Sequence, residues 1–238
     1  MHPQMMRPQT IMEFFFLVVA VAYLVGSIPF GLLLGLARGV DIRRHGSGNI
    51  GATNAGRVLG MRFFWIAFFL DFLKGFLPVL LSDLLIQRGA GPIWIPLAAL
   101  LAAVAGHLFP IYLKFRGGKG VATGFGAVLG IWPIYTIAAL GAVVIFLLVF
   151  ALRRIISLSS LAAVAGFAVL VPLAGRLLPP LAGAPHPLSW SGLMPLMIIS
   201  WVFSFMVIWK HRSNIRRLLA GTEPRLDQRH ESPANSRP

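Results

Sequence analysis

The chain has no cysteine among its 238 residues and only seven acidic side chains. Without a thiol there is no thiolate nucleophile, no thiolate metal ligand and no disulfide. No carboxylates or histidines cluster at ligand spacing, so neither a hard-cation cage nor a zinc site has its donors, and no metal or other cofactor is expected. Charge of either sign is scarce: 12% of residues are charged, against roughly a quarter in a soluble globular chain. What remains is 57% hydrophobic, with mean hydropathy +0.81. These absences leave an all-α, polytopic membrane protein.

The charge that is present has one sign. Twenty-one Lys and Arg give a formal net charge of +14. In a soluble chain that balance suggests nucleic acid. Here the basic loops lack interleaved aromatics, so no nucleic-acid partner is expected, and the placement of the cations against the apolar runs is more informative.

Residues 1–10 read as a disordered leader and 226–238 as a disordered tail, with a single membrane domain over 11–225. Within that domain the apolar runs predict spans at 11–37, 63–86, 93–113, 121–131, 134–152, 158–174 and 190–209. The fourth has barely half of the roughly 20 residues needed to cross alone. A signal peptide is rejected, because the first run continues past Ala22 and Arg38, Arg43 and Arg44 follow it. Seven spans with the N-terminus outside and the C-terminus in the cytoplasm put the segments 38–62, 114–120, 153–157 and everything after 209 on the cytoplasmic face. Those segments hold 17 of the 21 cations; only Arg7, Lys74, Arg88 and Arg176 lie elsewhere. The positive-inside rule supports that orientation.

The same face collects the polar motifs. Residues 41–60 hold five glycines, among them Gly46 and Gly48, with Ser47, Asn49, Thr53, Asn54 and Arg57 between and beside them. Glycine lets the backbone turn and approach a ligand closely, consecutive N–H groups in such turns bind anions, and an arginine fork matches phosphate oxygens in pairs. A phosphate-binding loop is the reading. No strand precedes it, so it is not a dinucleotide fingerprint. A second motif, Phe115 to Thr123, sets Lys119 among Gly117, Gly118 and Gly120. It fails as a Walker A loop, since Leu113 stands at its first glycine and Gly120 at its Ser/Thr. A lysine between glycines at the start of a helix still presents ammonium and amide groups to an anion.

Ser157, Ser159 and Ser160 open the sixth span. Past the seventh, His211, Asn214 and Arg217 recur at three-residue spacing, on one face of a continuing helix. Asp71 and Lys74, three apart inside a span, are expected to face each other in the bundle as a structural pair, since exposure to lipid would cost each roughly 2.5–3.5 kcal/mol. His107 is read as a structural hydrogen-bonder. A transporter for an organic phosphate would carry similar cations, but its site would lie near mid-membrane, whereas these motifs gather on one face.

Seven segments together resemble one family: G-S-I-P-F-G (26–31), S-G-N-I-G-A-T-N-x-x-R-x-x-G (47–60), D-x-x-K-G (71–75), G-H-x-F-P (106–110), F-R-G-G-K-G-V-A-T (115–123), the serines at 157–160, and H-R-x-N-I-x-R-L-L-x-G-x-E (211–223). The chain is similar, over about 15–225, to the bacterial acyl-phosphate:glycerol-3-phosphate acyltransferases (PlsY). It departs from their pattern at Met61-Arg62, at Thr222 and in extra residues at both ends. The resemblance implies a seven-helix enzyme of the bacterial cytoplasmic (inner) membrane that makes lysophosphatidic acid and phosphate. Its substrates are acyl phosphate and glycerol 3-phosphate, with membrane lipid around it and a monomer as the working expectation. It carries catalytic roles onto Ser47, Arg57, Lys119, His211 and Asn214, and a binding role onto Ser157. The loop reading adds Gly46, Gly48, Asn49, Thr53, Asn54, Gly117, Gly118, Gly120 and Arg217 as candidate phosphate contacts. None of the six histidines is followed five residues later by aspartate, so the H-x-x-x-x-D spacing of the other large glycerolipid acyltransferase class is missing.

Overall fold

The computed structural model describes residues 7–86, 92–181, 186 and 188–225. All regular structure among them is helical, as lipid requires of an open chain whose backbone must satisfy itself. In order the helices are α1 (Pro8–Gly26), α2 (Phe30–Leu36), α3 (Ala52–Leu59), α4 (Met61–Leu85), α5 (Trp94–Leu108), α6 (Val121–Leu129), α7 (Ile134–Arg153), α8 (Ile156–Leu181), α9 (Trp190–Lys210) and α10 (Arg212–Leu219). Short 3₁₀ turns stand at Ile42–Arg44 and Ile111–Leu113.

Among the described residues six stretches are long and apolar enough to cross a membrane: Pro8–Leu36, Met61–Leu85, Trp94–Leu113, Ile134–Arg153, Ile156–Leu178 and Trp190–Lys210. The expected fourth span is α6, whose nine residues reach only about 14 Å at 1.5 Å per residue. A turn through the cis Trp132–Pro133 bond leads into α7, and the Thr136 hydroxyl donates to the Leu129 and Ile131 carbonyls (3.1 and 3.0 Å), closing the end of α6.

Four boundaries differ from the sequence expectation. Residues 8–10, expected in the leader, are helical, because α1 starts at Pro8, a favoured first helical position; residues 1–6 and the tail from 226 lie outside the described residues. The first span is not continuous: Pro29 has no N–H to give and restrains Ile28 away from helical angles, so α1 stops and α2 starts afresh. The segment 41–60 is not all loop, since α3 packs Ala52 and Ala55 into a small apolar cluster with Leu32, Ile42, Ile50 and Ala67. And α8 runs seven residues past Ala174.

Small residues set the helix crossings, as they do where lipid offers no hydrophobic drive between helices. A Cβ on Gly26 of α1 would overlap the Ala103 carbonyl of α5, and one on Gly75 of α4 the Thr123 carbonyl of α6. The main core joins α1, α4, α5, α6, α7, α8 and α9. Tyr135 on α7 donates to the Leu196 carbonyl of α9 (2.6 Å), and Ser204 on α9 donates to the Val164 carbonyl of α8 (3.0 Å). Outward-facing Phe16, Trp65, Leu148 and Phe205 are exposed, the lipid side of the bundle. Asp71 and Lys74 do face each other inside it, 2.7 Å apart and both buried.

Candidate functional site

The first polar loop is held from below. Ile42 and Ile50 are buried pegs at its two ends, and Gly31 of α2 lies so close to the Ile50 carbonyl that a side chain there would overlap it. Between the pegs, the buried Asn54 amide organises the turn: Nδ2 donates to the Ile42 and His45 carbonyls (2.8 and 3.2 Å), and Oδ1 accepts the Ser47 N–H (2.8 Å). Asn54, expected as a phosphate contact, is a scaffold for the loop with its donors already engaged. Arg43 is engaged too. It forks onto Asp41 at 2.9 and 2.7 Å, and that hydrogen bond holds the Asp41 carboxyl down at about 2.

The expected cradle of loop amides is only partly available. The N–H groups of Ser47, Gly48, Gly51 and Gly118 already donate to Asn54 Oδ1, the His45 carbonyl, Asn49 Oδ1 and the His107 carbonyl. Those glycines serve the turn itself: Gly46 and Gly48 both take positive φ.

The second loop ends as the sequence predicts, with Gly120 (φ 81°) leading directly into α6 and the half-buried Lys119 beside it. At the far end of the chain α9 does not continue straight. His211 adopts φ −91°, ψ 7° and passes the chain into a separate α10, yet His211 and Asn214 are both buried on the inner side. The His211 Nδ1 lies 2.8 Å from the Val207 carbonyl, so in the neutral ring that nitrogen carries the proton and Nε2 keeps a lone pair.

One carboxylate ties these parts together. Glu223 Oε1 accepts from Ser157 Oγ and Asn214 Nδ2, each at 2.6 Å, and Oε2 accepts from Arg217 Nε at 2.7 Å. Its side chain is 6% exposed. Sequence reasoning gave Glu223 no role, although it closes the last motif. The Asn214 Oδ1, buried and without a protein partner, is left as a free acceptor.

Sharing Arg217 with this cluster, a cleft of about 470 Å³ is lined by Asn49, Gly117, Gly118, Lys119, Lys210, Arg212, Ser213, Arg216 and Arg217. Lys210, Arg212, Ser213 and Arg216 were not expected; their place in a basic tail gave no sign that they turn toward the loops. Ser47 and Arg57 are exposed on the first motif and are not in the cleft wall, nor are Gly46, Gly48 and Thr53. Arg57 is still near enough to act on Lys119. Burial pulls the Lys119 ammonium down to about 8; Glu223 opposes that shift, and Arg217 and Arg57 add to it. Segments near residues 49, 118, 157 and 211–223 thus meet at one end of the bundle. Among the described residues no three His, Asp or Glu gather as a metal would need.

The sequence pattern of the glycerol-3-phosphate acyltransferase family matches residues 16–221, most of this chain. The chain belongs to that family. A glycerol-3-phosphate acyltransferase of Geobacter sulfurreducens is 46% identical over 212 residues, 88% of this chain and 96% of that one. The one from Synechococcus sp. (strain CC9902) is 43% identical, covering 91% and 97%. The crystal structure of PlsY, an integral membrane glycerol 3-phosphate acyltransferase, in its glycerol 3-phosphate form matches with a TM-score of 0.75 at 36% identity, over 89% of this chain and 95% of that one. Its lysophosphatidic acid form matches at 0.74.

For an acyltransferase the electrostatics of the cluster are informative. Burial holds His211 down at about 4, with Lys119 pushing the same way and the Val207 carbonyl and Glu223 opposing. At neutral pH it is an uncharged ring with an accepting Nε2. Burial works to raise the Glu223 carboxyl, but the hydrogen bonds from Ser157, Asn214 and Arg217 outweigh it and leave it lowered. The site is a fixed anion inside a ring of cations and donors.

Proposed function

We propose that the protein transfers a fatty acyl group from acyl phosphate to glycerol 3-phosphate, giving lysophosphatidic acid and inorganic phosphate as the first step of bacterial phospholipid synthesis. The single observation that carries this reading is the cationic cleft, which shares Arg217 with the cluster of neutral His211 and Glu223-bound Ser157 and Asn214. It offers charge for two phosphates and little for acid–base work, which suits an already activated mixed anhydride. The topology is seven spans, α6 serving as the fourth, with the N-terminus outside and the site on the cytoplasmic face of the inner membrane. The gathering of four connections at one end and the 17 of 21 cations in those segments support it. A monomer is the working assembly.

In this mechanism Arg57 and Lys119 clamp and neutralise phosphate, with Ser47 and Asn49 at its edge. Ser157, His211 and Asn214 position glycerol 3-phosphate, the free Asn214 Oδ1 and the His211 Nε2 accepting from its hydroxyls. A hydroxyl oxygen attacks the acyl carbon, the bond from that carbon to the phosphate oxygen breaks, and the hydroxyl proton ends on the departing phosphate. With a native value near 4, His211 is a better acceptor of a hydrogen bond than of the proton. No acyl-enzyme forms.

The test is phosphate release by purified protein in detergent given palmitoyl phosphate, with and without glycerol 3-phosphate. Release that depends on glycerol 3-phosphate and yields lysophosphatidic acid is expected. Equal use of acyl-CoA would sink the donor assignment. The lowered Lys119 value adds a pH signature: the ammonium is present below about pH 8 and lost above it, so kcat/KM falls on the alkaline side of about 8. In Lys119→Arg that fall moves well beyond pH 9, because guanidinium stays charged; a limb that does not move assigns the titration elsewhere.

A further inference from the structure

Beneath the glycine–lysine loop runs a line of buried polar side chains that the proposed reaction leaves unused. Lys74 Nζ lies 2.7 Å from Asp71 Oδ1 and donates to the Ile28 carbonyl at 2.6 Å. Asp71 Oδ1 is 3.7 Å from His107 Nδ1, which stands 3.1 Å from Thr123 Oγ1. All four side chains are 4% exposed or less. They come from α4, α5 and α6, and the Ile28 carbonyl belongs to the break between α1 and α2.

This line touches both loops. His107 grips Gly118 twice: its carbonyl takes the Gly118 N–H at 3.1 Å, and its imidazole Nε2 edge lies against the Gly118 Cα so closely that a Cβ there would overlap the ring. Gly118 and its neighbour Lys119 line the cleft. At the other end, the break capped by Lys74 leads within three residues to Gly31, which seats the Ile50 carbonyl of the first loop. Stability is a weak reason for such a line. Well-packed apolar side chains in place of a buried ion pair are often as stable or more so. What a polar network provides is one fixed geometry, and the imidazole can hold only one orientation while Nδ1 has a partner on the far side from Gly118.

We propose that Asp71, Lys74, His107 and Thr123 are positioning residues, a relay that sets the Gly117–Lys119 segment, and with it the Lys119 ammonium, at its working place in the cleft. The catalytic consequence rests on Lys119 as a phosphate ligand; the mechanical claim does not. Thr123→Val removes the hydroxyl at nearly constant shape, and Thr123→Ser keeps it. Full-length variants in detergent are compared by thermal midpoint, by steady-state kinetics and by hydrogen exchange of the peptide spanning 114–123. In Thr123→Val we expect faster exchange confined to that peptide, kcat/KM lower by about 10- to 100-fold, an alkaline limb displaced from that of the parent, and an unchanged midpoint. Thr123→Ser restores parental exchange and rate. Unchanged exchange with a rate within twofold of the parent overturns the relay. So does faster exchange spread over the whole bundle with a lower midpoint, which marks a general stability role. The exchange measurement needs no substrate, so it decides the relay even if the acyl-phosphate reading fails.

Discussion

Glu223→Ala is expected to lower kcat/KM by about 10²–10³-fold and to destabilise the protein by about 3 kcal/mol, a fall in thermal midpoint of roughly 6–12 °C. The carboxylate accepts three hydrogen bonds, and its loss leaves Ser157 and Asn214 as buried donors without a partner. Most of the cost lies with those two, because the Arg217 side chain is 42% exposed and water takes over its charge. Glu223→Gln separates the contacts. Its Oε1 still serves Ser157 and Asn214, while its amide meets the Arg217 donor, so stability is largely kept and activity falls by about tenfold. The effect depends on pH with a definite sign. The native carboxyl is lowered below its ordinary 4.5, so the stabilisation is complete above that value and disappears as pH falls through the native one. The midpoints of parent and Glu223→Ala therefore converge in acid. Parental rate and stability in Glu223→Ala would remove the carboxylate from any central role.

The second large effect is at Lys119. Replacing it by methionine keeps length and apolar stem and removes the ammonium; kcat/KM should fall by about 10³-fold, the upper range for losing one donor at a developing charge. Stability should move the other way or not at all. The ammonium is already penalised by burial and by Arg217 and Arg57, so deleting it relieves that cost. A variant as stable as the parent and catalytically silent is the expected pair of measurements, by calorimetry in detergent and by phosphate release. Activity within threefold of the parent would mean that the ammonium touches no substrate phosphate.

The sequence carried the helices and the meeting of Lys119, Ser157, His211, Asn214 and Arg217 further than it carried their wiring. Apolar runs of about twenty residues have one structural solution in lipid, so α4, α5, α7 and α9 were legible to within a few residues. The break at Pro29 was not, because Pro78 sits inside α4 without ending it. What separates the two prolines is tertiary: the Lys74 ammonium at Ile28 and the Ile50 carbonyl seated on Gly31. Helix α3 hid in a glycine-rich motif because eight residues make no stable helix alone; it exists through Ala52 and Ala55 in the cluster under the loop. Asn54 looked like a ligand because an amide's type does not tell which carbonyls the fold will bring to it. Glu223 had no periodic partner to betray it, since Ser157 is 66 positions away.

The nine-residue α6 has a consequence for how the protein is made. It is the weakest insertion signal in the chain, yet on the proposed topology the sidedness of everything after it depends on its being counted. Were it passed over during synthesis, Ser157 and the whole 211–223 segment would emerge on the far side from Lys119, and the site would never assemble. Arg153, Arg154 and the basic residues after α9 resist that error, because their export is the costly alternative. On that topology Lys210, Arg212, Arg216 and Arg217, which line the cleft in the finished protein, serve earlier as retention signals, keeping the two halves of the site in the same compartment.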